Sequence, residues 1–166
     1  MSKTEDNLQQ AFAGESMANR RYLAYASQAA KEGHPKVAKL FRAVAEAETI
    51  HAHNHLRILG EIKDTAENLR EALGGEEFEF KEMYPEMIEQ AQEEGNKQAE
   101  RTFNFANEVE KIHAKLYQDA LDKLGQDENA DVTFHVCGVC GYTVEGEAPD
   151  TCPVCSAKKK MFFEVE

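Results

Sequence analysis

Shifting the sequence by 62 residues lays Glu48-Thr-Ile-His51 over Glu110-Lys-Ile-His113, and this internal repeat limits the fold more than any other feature. The same shift pairs Tyr22 with Tyr84, Gln28-Ala29 with Gln90-Ala91, Glu32-Gly33 with Glu94-Gly95, and Phe41 with Phe103. Both copies are helical in pattern. Apolar residues recur at helical spacing as Leu8, Phe12, Tyr22 and Ala26, as Val37, Phe41, Val44 and Ile58, and as Ala99, Phe103, Ala106, Tyr117 and Leu121. The expected helices run from Thr4 to Glu32, Pro35 to Leu59, Glu76 to Gly95 and Asn96 to Leu124, with a short extra helix from Thr65 to Leu73 before Gly74-Gly75. Gly33-His34-Pro35, Gly60 and Gly95 supply the stops. Pro85 should kink or loosen the turn before it. Short first and third turns with a long middle connection predict two like hairpins in a four-helix bundle with a single crossover.

Composition narrows the function. A formal charge of −12 repels nucleic acid phosphates. No apolar run approaches the ~18 residues of a membrane span. Met1-Ser2-Lys3-Thr4-Glu5-Asp6 carries no secretory pattern, so a cytoplasmic address is expected. Most of the 31 acids belong on a solvated surface, but a few fall on apolar stripes. Glu15 lies on the stripe of the first helix, Glu48 and His51 on the second, and Glu110 and His113 on the last. Each Glu-x-x-His pair shares one helix face.

Buried together, such acids need a cation. Two carboxylates ~4 Å apart repel by roughly 4 kcal/mol at an effective dielectric near 20. Two divalent metals bring four positive charges, and oxygen plus imidazole ligands with open positions suit iron or manganese. On the remaining helix Glu76, Glu77, Glu79 and Glu82 are all available, and the repeat maps Glu15 onto Glu77. His34, His53, His55 and His135 fit turn, surface or strand roles. Tyr22 and Tyr84 suit the core, and their repeat equivalence also makes them candidates for hydroxyl bonds that aim metal ligands.

The C-terminal part differs in kind. Gly125 to Asp131 is a polar, acidic linker, dividing a domain at 1–125 from one at 132–166. The second is too small for a core of its own and needs a staple. Cys137-Gly-Val-Cys140 and Cys152-Pro-Val-Cys155 provide it, since four thiolates hold zinc or a single iron tetrahedrally. Disulfide exchange fits poorly, because one reactive pair would suffice and no thioredoxin-like βαβ pattern surrounds it.

Along essentially its whole length the chain resembles the rubrerythrins. The matching segments are Ala11-Phe-Ala-Gly-Glu15-Ser16, Glu48-Thr-Ile-His51, Glu76-Glu-Phe-Glu79 leading to Glu82-Met-Tyr84-Pro85, Glu110-Lys-Ile-His113, and both cysteine knuckles. The resemblance implies a mainly α, ferritin-like four-helix bundle with a small β-rich rubredoxin-like domain. It implies three irons per chain: a di-iron site held by Glu15, Glu48, His51, Glu76, Glu79, Glu110 and His113, and one iron on Cys137, Cys140, Cys152 and Cys155. Glu79 is the extra carboxylate for which His51 is exchanged as the redox state changes, and Tyr22 and Tyr84 join these two as expected catalytic residues. The expected activity is reduction of hydrogen peroxide to water, with electrons relayed through the cysteine-bound iron from a rubredoxin or an NAD(P)H-dependent reductase. A homodimer or larger assembly is expected, with exchange of helices left open. Ferroxidase or iron-handling activity is the alternative. Ser156 departs from the glycine usual after the last cysteine and is expected to crowd a tight turn or shift the redox potential without abolishing metal binding.

Overall fold

The computed structural model describes residues 2–126 and 132–165, so most of the expected linker lies outside the described residues. It divides into two compact units, Met1–Lys63 and Asp64–Glu166.

The first unit is a hairpin of α1 (Lys3–Lys31) and α2 (Pro35–Leu59). Ser2 opens α1 with a capping box: its hydroxyl accepts from the Glu5 N–H, and the Glu5 carboxylate accepts from the Ser2 N–H at 2.6 Å. The seam between the helices is lined with alanine. Ala26, Ala29, Ala38, Ala45 and Ala52 are buried, so the backbones can approach closely. The buried Asn19 amide crosses the seam, donating to the Ala45 carbonyl at 2.8 Å and to the Thr49 hydroxyl at 2.9 Å.

The second unit contains α3 (Thr65–Phe78), a π turn (Glu79–Met83), α4 (Tyr84–Glu93) and α5 (Lys97–Asp122), followed by a three-stranded sheet. Strands β1 (Phe134–Cys137), β2 (Thr143–Glu145) and β3 (Phe162–Val165) are antiparallel in the order β2-β1-β3. Among the described residues no helix is long and apolar enough to cross a membrane.

The internal repeat is realised at the turns. The His34 N–H reaches back to the Ala29 carbonyl at 2.8 Å, and the Asn96 N–H to Ala91 at 2.9 Å. Gly33 and Gly95, at φ of 82° and 68°, take the left-handed conformation such a C-terminal cap requires. Gln28 bonds Glu32 at 2.7 Å as Gln90 bonds Glu94 at 2.9 Å. Tyr22 lies 6.1 Å from Phe41, and Tyr84 lies 6.3 Å from Phe103.

Two expectations are corrected. Gly74-Gly75 does not separate a short helix from the next, because α3 runs through both glycines. Glycine in a helix interior costs only about 1 kcal/mol, and α3 begins with a strong cap, the Asp64 carboxylate accepting from the Glu67 N–H at 2.9 Å. The middle connection therefore shrinks to Gly60–Asp64, in place of the long crossover expected. Pro85 acts on the turn before it as anticipated: it has no N–H, and the Tyr84 N–H bonds the Glu79 carbonyl five residues back, closing the π turn.

Candidate metal centres

Among the described residues, acids and imidazoles collect into two triads, one in each unit, and the cysteines into a third cluster. In the first unit Glu15 from α1 meets Glu48 and His51 from α2. His51 Nδ1 stands 3.0 Å from Glu48 Oε2 and 3.8 Å from Glu15 Oε1. In the second unit Glu76 from α3 meets Glu110 and His113 from α5, with His113 Nδ1 2.7 Å from Glu110 Oε2 and 3.8 Å from Glu76 Oε2. The two triads thus have nearly the same internal geometry. In each, Nδ1 is the ring nitrogen that faces the carboxylates.

The π turn explains how Glu76 comes to match Glu15. It adds one residue to the helix, so the 62-residue shift that pairs Tyr22 with Tyr84 becomes a shift of 61 ahead of the turn. Glu15 then corresponds to Glu76. The register match to Glu77 is corrected on this ground, and Glu77 instead pairs with Lys81 at 2.9 Å on the surface.

Glu79 opens the π turn one helical turn beyond Glu76. Burial and the nearby Glu76 charge hold its carboxyl above the ordinary range, against a smaller pull from His113. Glu76 is raised too, by burial and by Glu110, with His113 opposing. Burial first, then Glu110, Glu79 and Glu76, push the Tyr84 hydroxyl upward, so it keeps its proton among these acids. Tyr22 stacks against Tyr25 and Phe41. A cavity of about 530 Å³ opens onto Glu76 and His113, walled by Leu69, Leu116 and Phe134 and also by Asp119, Lys123 and Glu145.

The expected dry centre is only partly realised within each unit. The His51 side chain is 54% exposed, against 25% for His113. A bare helix hairpin covers its polar triad from two sides only, whereas His113 is also met by the sheet.

The four cysteines are free and form one cluster. Sulfur atoms of Cys137 and Cys155, and of Cys140 and Cys152, are each 3.6 Å apart. Metal–sulfur bonds of ~2.3 Å in a tetrahedron require a sulfur–sulfur edge of roughly 3.8 Å, so the cluster fits a single ion closely. The thiols also share charge unequally. Burial pushes Cys140 and Cys155 up, while N–H groups of Val139 and Cys140 and the Cys155 thiol overcome burial to pull Cys137 down. Four such sulfurs ionise together only around a cation.

Two family models cover this architecture. One, described as rubrerythrin, matches residues 6–121. The other, described as the rubredoxin-like domain of rubrerythrin, matches residues 135–163. The chain belongs to the rubrerythrin family. It is 40% identical to rubrerythrin-2 of Clostridium acetobutylicum, across 96% of this chain and 95% of that protein. It is 35% identical to nigerythrin of Nitratidesulfovibrio vulgaris, across 98% and 86%. The solved structure of fully reduced, all-ferrous nigerythrin matches 99% of this chain and 88% of its own with a TM-score of 0.60 at 34% identity. The family accounts for both parts of the fold, the helices and the small sheet beside a four-cysteine cluster.

Ser156 takes a backbone conformation that favours glycine. It is the one non-glycine residue with positive φ among the described residues, at 62°. A side chain there costs about 1–2 kcal/mol. Ser156→Gly is expected to stabilise the metal-loaded C-terminal module by about 1 kcal/mol, visible as slower metal loss to a chelator. A faster loss would show that the serine hydroxyl, not the strain, dominates at that turn.

Proposed function

We propose that the chain is a non-haem iron peroxidase that reduces hydrogen peroxide to two waters, taking up two electrons and two protons. One observation carries the reading: two matching carboxylate–imidazole triads and a tetrathiolate cluster occur in a single chain. A one-electron carrier beside a two-electron site gives both modules a purpose, whereas ferroxidase activity alone leaves the thiolates without one. The reading takes 1–125 as the di-iron domain and 132–166 as the electron-entry domain. An external donor, a rubredoxin or an NAD(P)H-dependent reductase, completes it, as does a homodimer or larger assembly.

The residues fit the irons by donor chemistry. Glu15, Glu48 and His51 would hold one, Glu76, Glu110 and His113 another, and the four cysteines a third, with oxygen and nitrogen donors at the first two and sulfur at the last. Iron bound by the triads would supply electrons and Lewis acidity toward peroxide. The remaining work falls to the protein. Glu79, with its carboxyl raised, is poised to change between protonated and ligating forms as charge at the site changes. The Tyr84 hydroxyl, held protonated, offers a hydrogen bond near Glu110, Glu79 and Glu76. The cavity beside Glu76 and His113 is large enough to admit a small neutral oxidant.

Anaerobically reduced, iron-loaded protein is expected to consume peroxide rapidly and oxygen slowly. Fast oxygen consumption with no peroxide turnover would replace this reading by ferroxidase activity. Glu79→Ala is expected to lower peroxide turnover by about 10- to 100-fold with iron content little changed. Turnover equal to the unsubstituted protein would remove Glu79 from the mechanism.

A further inference from the structure

The C-terminal module touches the second triad directly. Strand β2 begins at Thr143, three residues after Cys140, and the Thr143 hydroxyl oxygen lies 3.1 Å from His113 Nε2. That hydroxyl also donates to the Gly141 carbonyl at 3.0 Å. A threonine hydroxyl has one proton to give and lone pairs to receive. With its proton committed to Gly141, it meets His113 as an acceptor, and an acceptor at that distance calls for a hydrogen on Nε2. The neutral ring in this orientation has its free lone pair on Nδ1, the atom that faces Glu110 and Glu76.

The contact belongs to a docked surface. A Cβ built on Gly141, which takes a left-handed φ of 86°, would stand 3.8 Å from Val109. Val109 is 2% exposed and sits one helical turn before His113 on the same face of α5. The stretch from Cys140 to Thr143 therefore lies along α5 beside the imidazole. His51, the repeat counterpart of His113, has no comparable partner for its outer nitrogen among the described residues: its contacts are made through Nδ1.

We propose that Thr143 is a positioning residue for His113, fixing the ring as the Nε2–H tautomer with Nδ1 presented to a metal, and tying this half of the site to the cysteine module. The inference rests on the reading that Glu76, Glu110 and His113 hold a metal. An acceptor that orients a ligating histidine is worth about 10- to 100-fold in metal affinity. His113 is the anchored imidazole of the two.

The test uses full-length protein given one equivalent of diamagnetic zinc, which fills the tighter thiolate site and leaves the triads open for the tautomer measurement, with further zinc added for the affinity measurement, and compares Thr143→Val with Thr143→Ser. Valine keeps the shape and removes the hydroxyl; serine keeps the hydroxyl. Nitrogen-15 correlation spectra of the histidine rings report the His113 tautomer. Competition with a chromophoric chelator reports the weaker carboxylate–imidazole affinity apart from the tighter thiolate site. The Nε2–H signal should persist in the parent protein and the serine variant. In the valine variant it should disappear, with triad affinity about 10- to 100-fold lower and an unchanged thiolate site. A valine variant with parental affinity and an intact Nε2–H signal overturns the proposal, as does a serine variant that fails equally with its thiolate site intact. No binding of zinc by the triads of the parent protein overturns the metal-site reading and this inference together.

Discussion

Cys152→Ser is expected to unload the tetrathiolate site and unravel residues 132–165 while leaving the helices folded. The three strands span only Phe134–Cys137, Thr143–Glu145 and Phe162–Val165. Within the module the buried side chains are Cys137, Cys152 and Ala148. Two of those three are the metal-facing cysteines, so the module has almost no apolar core to fall back on. A structural four-thiolate ion contributes binding free energy on the order of 10–16 kcal/mol, which becomes folding free energy when no site exists in the unfolded chain. Losing one thiolate should forfeit most of it. Limited proteolysis would then cut within 132–165 and spare α1 to α5, and the ferric-thiolate visible bands would vanish. A variant that keeps a protease-resistant C-terminal module without bound metal would show that the sheet stands on its own contacts.

The second large effect concerns Glu110. Glu110→Gln is expected to weaken metal binding at the second triad by about 100-fold or more, beyond the usual cost of losing an outer partner of a ligand. The consequence for stability follows by mass action. At a free metal concentration of 1,000 Kd the bound ion stabilises the fold by about 4.1 kcal/mol; a 100-fold weaker site at the same concentration leaves about 1.4 kcal/mol. The gap in thermal midpoint between metal-loaded and metal-free protein should shrink accordingly.

The metal-free proteins should differ the other way with pH. Glu76 has its folded carboxyl above the ordinary value of 4.5, through burial and then, among the raising influences, through Glu110. A raised carboxyl binds its proton more tightly when folded, so stability is lost as pH climbs from the unfolded value through the folded one. Removing the Glu110 charge should flatten that loss. Equal pH slopes for the two metal-free proteins, measured by denaturant titration, would show that the two acids do not sense one another. An unchanged metal-dependent midpoint would remove Glu110 from the ligand set.

Much of this was legible in one dimension. The hairpin turns were announced by Gly33 and Gly95 because a left-handed cap tolerates little else. The cysteine cluster was announced by two Cys-x-x-Cys pairs, since a knuckle of that spacing turns two sulfurs toward one ion. Glu-x-x-His is equally local, because residues three apart share a helix face whatever lies opposite. Gly74-Gly75 misled for a related reason: glycine weakens a helix by an amount that a good cap and packing against α5 can outweigh. The Glu77 match failed because one extra residue in a π turn rotates everything before it by about 100°, and nothing but Pro85 hinted at it.

The amino-acid order alone therefore determined the repeat, the two hairpins, the identity of the imidazole and carboxylate candidates and the tetrathiolate module, all of them set by contacts between near neighbours in sequence. Tertiary structure alone decided how far each histidine is covered and that Thr143 receives the ring of His113, and it supplied the π turn by which Glu76, already named by the family resemblance, faces His113 in place of Glu77. Those depend on the phase of a helix and the approach of segments 30 residues apart, and a distance through space leaves no periodic trace along a chain.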